Sequence, residues 1–328
     1  ITHQTETIKR YYVKETRFMH CCLLSKNGEF LLAGEKYLYQ YDEQGDSLVY
    51  KDWLTSTPIA PNIKAMQEDE EGNLYVASSQ SGLVVLNKQK EVIHYYKHDP
   101  DDPSSLIKGS ICGLFTDSNN RLWILSETSG ICYLDKANNK FVHLNTANSA
   151  LSSNVVRTIV EEESGTLLLG TFAGLNRLDL KTLQVTPYKF NPEEPGALSY
   201  YSVHSLLKDN TGALWVGTWK GLNYYSPARK QFYQITPNAF TGLLGMGQED
   251  ENGNIWFATE GAGLFCYNPE TQSQQFYPKK SPYKSNYSSN IFKSLLIKGD
   301  SIICATNAGS VYLFSKKRKM NIQTYITI

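Results

Sequence analysis

The chain repeats itself seven times, and that periodicity constrains its fold more than any single residue does. The repeat is anchored on a turn whose corresponding positions are Gly28, Gly72, Asn120, Gly165, Gly212, Gly253 and Asp300, at spacings of 44, 48, 45, 47, 41 and 47 residues. Its clearest copy is Asp209-Asn210-Thr211-Gly212-Ala213-Leu214-Trp215-Val216-Gly217-Thr218-Trp219-Lys220-Gly221-Leu222. Asp209 to Gly212 suits a type I turn, with Asp first and Gly fourth. Leu214 to Thr218 is an apolar run of strand formers, Trp219 to Gly221 reverses the chain, and Leu222 to Tyr225 returns as a strand. A lone hairpin of this size is marginal in water, so the copies must stack on one another. Another alternating run precedes each turn and a fourth follows each hairpin, as in Val203 to Leu207 and Gln231 to Ile235. Four strands in roughly 45 residues is the period of a propeller blade.

The sequence therefore predicts an all-β fold, a seven-bladed β-propeller of four-stranded antiparallel blades with almost no helix. The blades fall at about 18–53, 63–97, 111–144, 155–190, 203–235, 243–277 and 291–325, making residues 18–328 one propeller. Residues 1–17 stand apart as the end of a preceding blade or as a ring-closing strand. Closure matters because an unpaired edge strand invites aggregation. Ile8 to Val13 can serve as the outer strand of the seventh unit, or Asn321 to Ile326 can fill that place. Ser310 to Ile326 reads as a complete hairpin, which favours the second arrangement and leaves Ile1 to Val13 as a remnant of an earlier blade.

Composition narrows the function classes. Lys+Arg and Asp+Glu balance at 32 each, and phosphate binding needs a basic excess or stripe, so nucleic acid is not expected as a partner. The dense basic run Lys316-Lys317-Arg318-Lys319 reads as a solvated turn of the last blade. Cys21, Cys22, Cys112, Cys132, Cys266 and Cys304 all fall in predicted strands without a CxxC pair, so no metal is expected and the thiols read as small buried hydrophobes. No run reaches the roughly 18 apolar residues needed to span a bilayer. The chain opens with Ile1 rather than Met, so it reads as part of a longer protein, with any leader or membrane span outside it.

The repeated residues themselves read as structure. Asp69, Asp117, Asp209 and Asp250 each start a turn and lack the downstream ligands of a calcium loop. Trp123, Trp215 and Trp256 recur at one strand position, which indicates packing between sheets. Gly245-Met246-Gly247 lacks the third Gly and following helix of a dinucleotide site, and no nucleophile elbow or zinc-protease motif is present. No catalytic residue and no cofactor is expected.

Asp-x-x-Gly-x-Leu-Trp-x-Gly-Thr-x-x-Gly-Leu is the pattern of the two-component regulator propeller repeat. Asp209 to Leu222 matches it fully, and Asp250 to Leu264 with one extra residue. Leu151-Ser152-Ser153-Asn154-Val155-Val156-Arg157 resembles that family's approach to the inner strand, and the connectors Asp99 to Leu106 and Asn191 to Leu198 are also typical of it. Leu168 and Tyr75 replace the Trp in the fourth and second units, and the first and seventh units are degenerate. Over essentially all 328 residues the chain resembles the periplasmic sensor region of hybrid two-component histidine kinases that regulate glycan use. The resemblance implies a non-enzymatic, extracytoplasmic sensor whose kinase and membrane segments lie outside this chain.

In a propeller the loops leading into the inner strands share a face with the turns between second and third strands. Those turns carry Glu35-Lys36, Gln80, Glu127, Phe172, Trp219-Lys220, Glu260 and Asn307, and the inner-strand approaches add Arg157, His204 and Lys293. Variable polar and aromatic residues on a rigid ring suit an oligosaccharide or other polar small ligand. The candidate site is Trp219, Lys220, Phe172, Arg157, Glu127, Glu260, His204 and Lys293, with Trp219 as anchor. The alternative is a structural propeller that packs against neighbouring propeller and linker domains of its own chain or forms a homodimer. A propeller lyase or hydrolase comes third, and would need a His/Tyr or paired-carboxylate cluster.

Overall fold

The computed structural model describes residues 8–12, 18–35, 37–55, 57, 62–80, 82–188, 191, 193–226, 228–229, 231–235, 243–261, 263–277, 291–306, 309–316 and 325–327. It is a seven-bladed β-propeller of four-stranded antiparallel blades, and no helix occurs among the described residues. The inner strands are Met19–Leu24, Ile63–Glu68, Ile111–Thr116, Val156–Glu163, Val203–Lys208, Leu243–Glu249 and Phe292–Lys298. In the first six blades the following strands pair outward in sequence order. The chain divides into two compact units, one of residues 53–243 and the other of residues 1–52 and 244–328.

In the 53–243 unit the second strands Leu74–Ser78, Leu122–Ser126 and Leu214–Thr218 are buried at every position. Such a strand has a partner on each edge and a neighbouring blade on each face, so both sets of alternating side chains go inside. The core lies between blades. Ala77 and Val85 pack with Ile111 and Ile124, Trp123 and Leu125 with Val156 and Leu169, and Leu168 and Leu175 with Val203 and Val216. The Gly of the repeat's Gly-Thr pair permits this closeness. A Cβ built on Gly170 would lie 2.6 Å from Cγ1 of Val203 in the next blade and 2.4 Å from Cγ2 of Thr158.

The repeated Asp and Trp are one device. The Asp209 carboxylate accepts the amides of Thr211 and Ala213 at 3.0 and 2.8 Å, and its second oxygen takes the Trp215 indole N–H at 2.8 Å. Trp123 donates to Asp117 at 2.9 Å in the same way, and in the other unit Trp256 donates to Asp250 at 2.9 Å. Tyr75 substitutes with its hydroxyl, 3.0 Å from Asp69. These carboxylates are therefore committed to turns and to anchoring an aromatic side chain. In the fourth blade Leu168 offers no donor, and Glu162 pairs with Arg177 at 2.9 Å instead.

The unit of residues 1–52 and 244–328 holds the first, sixth and seventh blades, and it overturns the expected closure. Ile8–Tyr12 is the fourth strand of the seventh blade, antiparallel to Ser310–Ser315 with Tyr11 opposite Val311. Tyr325–Thr327 does not take that place but adds a fifth strand outside it, parallel to Ile8–Tyr12. The reason is a side chain. Tyr11 is 1% exposed in a cluster with Met19, Phe30, Leu296 and Ile303, and its hydroxyl donates to Asp46. Residues 317–324, including most of the basic run and the start of the alternative closing strand, lie outside the described residues. The three buried thiols Cys22, Cys132 and Cys304 sit in strands, as expected, and burial pushes Cys22 and Cys132 up to about 12.

Candidate functional site

Backbone hydrogen bonds tie the turn after each second strand to the approach of the inner strand. Ser79 N–H donates to Asn62 at 3.1 Å, Glu127 to Ser110 at 3.0 Å and Phe172 to Val155 at 3.0 Å, while in the other unit Glu35 donates to Phe18 at 3.0 Å. Loops and turns thus share one edge of each of these blades, as propeller geometry requires. The register also corrects one assignment: Ser79, not Gln80, holds the repeat position in the second blade. Lys36 and Asn307 lie outside the described residues.

In the fourth and fifth blades a buried Asn fixes the approach loop. Asn223 accepts the Ser199 amide at 3.0 Å and donates to its hydroxyl at 2.9 Å, and that hydroxyl bonds Thr218 Oγ1 at 2.9 Å. Asn176, Ser152 and Thr171 repeat the pattern at 2.9, 2.8 and 2.9 Å. Thr218 also donates to the Gly221 carbonyl at 3.1 Å and accepts the Lys220 amide at 3.2 Å. Gly221, with φ of 106°, completes a turn that only glycine adopts readily. Trp219 and Lys220 occupy the middle of that turn and must project outward.

Trp219 is 54% exposed and Phe172 48% exposed, the place the sequence assigns them. Each meets a different ring. Trp219 lies against the His204 imidazole, with ring centroids 5.8 Å apart, and His204 is hydrogen-bonded to Ser202 at 2.8 Å. Phe172 meets Tyr201 edge-on at 6.1 Å, and Tyr201 leans on Tyr200 at 4.2 Å. The Lys220 ammonium sits 5.5 Å over the Tyr200 ring, a cation–π contact. Two predicted residues, Phe172 and Lys220, therefore meet a Tyr-Tyr step that sequence reasoning did not single out, and two more, Trp219 and His204, meet each other beside Lys220. The signal was present: the fourth-blade loop Ser152-Ser153-Asn154 aligns with Ser199-Tyr200-Tyr201, so two aromatics replace two small polar residues.

Arg157 and Glu127 form a second group in the same unit. Both are exposed, and both act on the Cys112 thiol, which burial and, next, Glu127 push up to about 12 while Arg157 opposes. Glu260 and Lys293 belong to the other unit, where they form an ion pair with each other.

A further regularity was not visible in the sequence. Six inner strands skip one residue in their pairing, a β-bulge, at His20, Lys64, Cys112, Arg157, His204 and Lys293. A bulge leaves its extra residue unpaired and re-aims the side chain, and bulges collect beside functional sites. Separately, an open pocket of about 310 Å³ lies under the Asp99–Leu106 connector between His98 and His143. Both imidazoles bond connector carbonyls, His98 to Leu106 at 3.0 Å and His143 to Ser105 at 2.9 Å, so they anchor the connector.

The two-component regulator propeller family matches this chain at residues 197–220, which contain the Tyr-Tyr step, the fifth-blade turn, Trp219 and Lys220. No sequence among curated proteins matches. Among solved structures, a chain described as the extracellular domain of the hybrid two-component system BT3049 from B. thetaiotaomicron is similar, with a TM-score of 0.78 at 22% identity over 95% of this chain and 42% of that one. A similar domain of BT4673 from the same organism gives 0.75 at 20% identity over 94% and 39%. Virginiamycin B lyase from Staphylococcus aureus gives 0.70 at 12% identity over 94% and 98%. This chain spans about two-fifths of the two-component chains it resembles. At these identities the likeness shows the propeller fold.

Proposed function

We propose that this chain is a ligand-sensing propeller of an extracytoplasmic two-component sensor, that it binds an oligosaccharide, and that it signals to a histidine kinase in the same protein. The observation that carries the reading is the exposed aromatic group of Trp219, Phe172 and Tyr201, with the fifth-blade loop and turn held by Asn223 and Thr218 and the fourth-blade turn by Thr171 and Asn176. Aromatic faces suit the apolar faces of sugar rings, and Lys220, His204 and Arg157 stand nearby for hydroxyls or acids. The match to the regulator propeller repeat and the likeness to extracellular domains of two-component systems support the setting. A structural role in packing against neighbouring domains is the second reading, supported by the greater length of those similar chains.

The test is a glycan-library screen followed by calorimetric titration of the best ligand against Trp219→Ala. Truncating an aromatic anchor costs at least about 2 kcal/mol, roughly a thirtyfold loss of affinity. Because Trp219 is half exposed, the urea midpoint should hardly move. Unchanged affinity moves the site elsewhere, and a screen without any binder leaves the structural role.

A further inference from the structure

The bulge residues near the starts of the inner strands are mostly basic or imidazole. At the bulge near the start of six inner strands stand His20, Lys64, Cys112, Arg157, His204 and Lys293, five of them basic or imidazole, in a chain whose formal charges cancel; a second bulge, near the end of Val156–Glu163, carries Glu162. A bias at one geometric position, against no overall excess, needs a local cause. Lys293 is spoken for by Glu260. Arg157 is exposed and makes no ion pair among the described residues, although Arg121 and Arg177 both do.

In the 53–243 unit three consecutive bulges are stitched together. The Cys112 thiol donates to the Val156 carbonyl at 3.1 Å, immediately before Arg157. Thr158, immediately after Arg157, accepts the Leu206 amide at 3.1 Å, two residues beyond His204. His204 in turn lies against Trp219. Arg157, His204 and Trp219 thus stand on neighbouring strands and one adjoining turn, each held by hydrogen-bonded backbone. Glu127, which like Arg157 acts on the Cys112 thiol, is exposed and forms no ion pair with Arg157.

We propose that the ligand carries an acid group, a carboxylate or a sulfate, which Arg157 binds through its guanidinium fork with His204 beside it while the sugar ring lies on Trp219. The proposal rests on the oligosaccharide reading above and narrows it to acidic glycans. Arg suits the role because its planar fork meets both oxygens of a carboxylate or sulfate at once. Bulges suit it because they leave one residue unpaired and re-aim its side chain.

Titration calorimetry with oligogalacturonides, a sulfated chondroitin disaccharide and neutral oligosaccharides of matching length tests the idea, alongside NMR titration with inorganic sulfate. The acidic sugars should bind more tightly than the neutral ones, with affinity falling as sodium chloride rises. Arg157→Gln should weaken acidic ligands at least about tenfold, Arg157→Lys should restore part of the loss, and Arg177→Gln should change nothing. Equal affinity for acidic and neutral sugars, with Arg157→Gln silent, overturns the acid site while leaving the oligosaccharide reading intact. Sulfate binding abolished by Arg157→Gln, with no sugar bound, keeps the anion site and ends the oligosaccharide reading. Failure of both sulfate and acidic sugars to bind overturns the proposal.

Discussion

Removing the N-terminal strand should unbalance the seventh blade, and the structure sets the scale. Tyr11 is 1% exposed and its ring packs edge-on to Tyr41 at 5.8 Å. Its hydroxyl donates to Asp46, whose carboxylate also accepts Tyr41 at 2.8 Å. Truncating a buried aromatic costs about 3–5 kcal/mol, so Tyr11→Ala should lose that much. Tyr11→Phe keeps the ring and leaves Asp46 with Tyr41, so it should lose only about 1 kcal/mol. Deleting residues 1–12 removes Tyr11 together with the five pairs from Ile8↔Phe314 to Tyr12↔Ser310, and bares the edge of Ser310–Ser315. Its cost should equal or exceed that of Tyr11→Ala. Domains are commonly stable by about 5–15 kcal/mol, so the loss should be plain in a urea melt. The midpoint of Tyr11→Ala should fall at unchanged slope, which marks lost stability without a changed unfolded state. The deletion should also raise self-association in size-exclusion chromatography, because an open strand edge pairs with another chain. A deletion variant that melts within about 0.5 kcal/mol of the intact chain would show that the segment ending in Tyr325–Thr327 can replace the N-terminal strand, and would refute the argument.

Two further outcomes follow from the repeat. Gly170→Ala places a Cβ 2.4 Å from Thr158 Cγ2 and 2.6 Å from Val203 Cγ1, and overpacking of this kind should cost about 1–3 kcal/mol in urea melts; a neutral result would mean the blades can separate there without strain. The turn carboxylates predict acid lability: burial alone would raise Asp69 and Asp250, but Lys136 and Asn73 for the first, and Trp256, Asn254 and Asn252 for the second, hold both below their ordinary value of 3.8. A depressed folded value means stability present above that ordinary value and lost as pH falls through the lower one, so urea midpoints should drop below about pH 4 and Asp69→Asn should flatten the drop; a midpoint constant from pH 5 to 3 would contradict it.

The blades were legible because each one solves the same local problem with the same residues. Apolar runs, turn residues and period are properties of contiguous segments, so Leu214 to Thr218 could be read as a strand and Trp215 as packing without knowing its neighbours. Closure was not legible for the converse reason. Ile8–Tyr12 pairs with residues about 300 positions away, and nothing in a five-residue alternating segment names its partner. Only burial of Tyr11 decides between two plausible strands. The bulges escaped because one unpaired residue leaves the composition of Val156-Arg157-Thr158 unremarkable as strand. Of the candidate site, the turn residues Trp219 and Phe172 were found from register, whereas Tyr200 and Tyr201 sit in a loop whose conformation depends on Asn223, 24 residues later.

What makes the repeat recognisable is also what makes it uninformative about the ligand. Asp209, Gly212, Trp215, Thr218, Gly221 and Asn223 are spent on turn amides, an indole, a carbonyl and an approach loop, and each bond closes within the blade. Replacing any of them exposes a buried polar partner or strains the backbone, so their chemistry is dictated by the fold. The neighbouring turn position answers to no such demand: Ser79, Glu127, Phe172 and Trp219 occupy it in four successive blades, and at the first three it is the backbone N–H that ties the turn to the approach loop. A chain can therefore hold the blade motif constant while writing a different side chain at each turn and each bulge. On the proposed sensing role, specificity would belong to residues outside the repeat pattern, and Trp219, Phe172, the Tyr200-Tyr201 step and Arg157 are the ones to test for it.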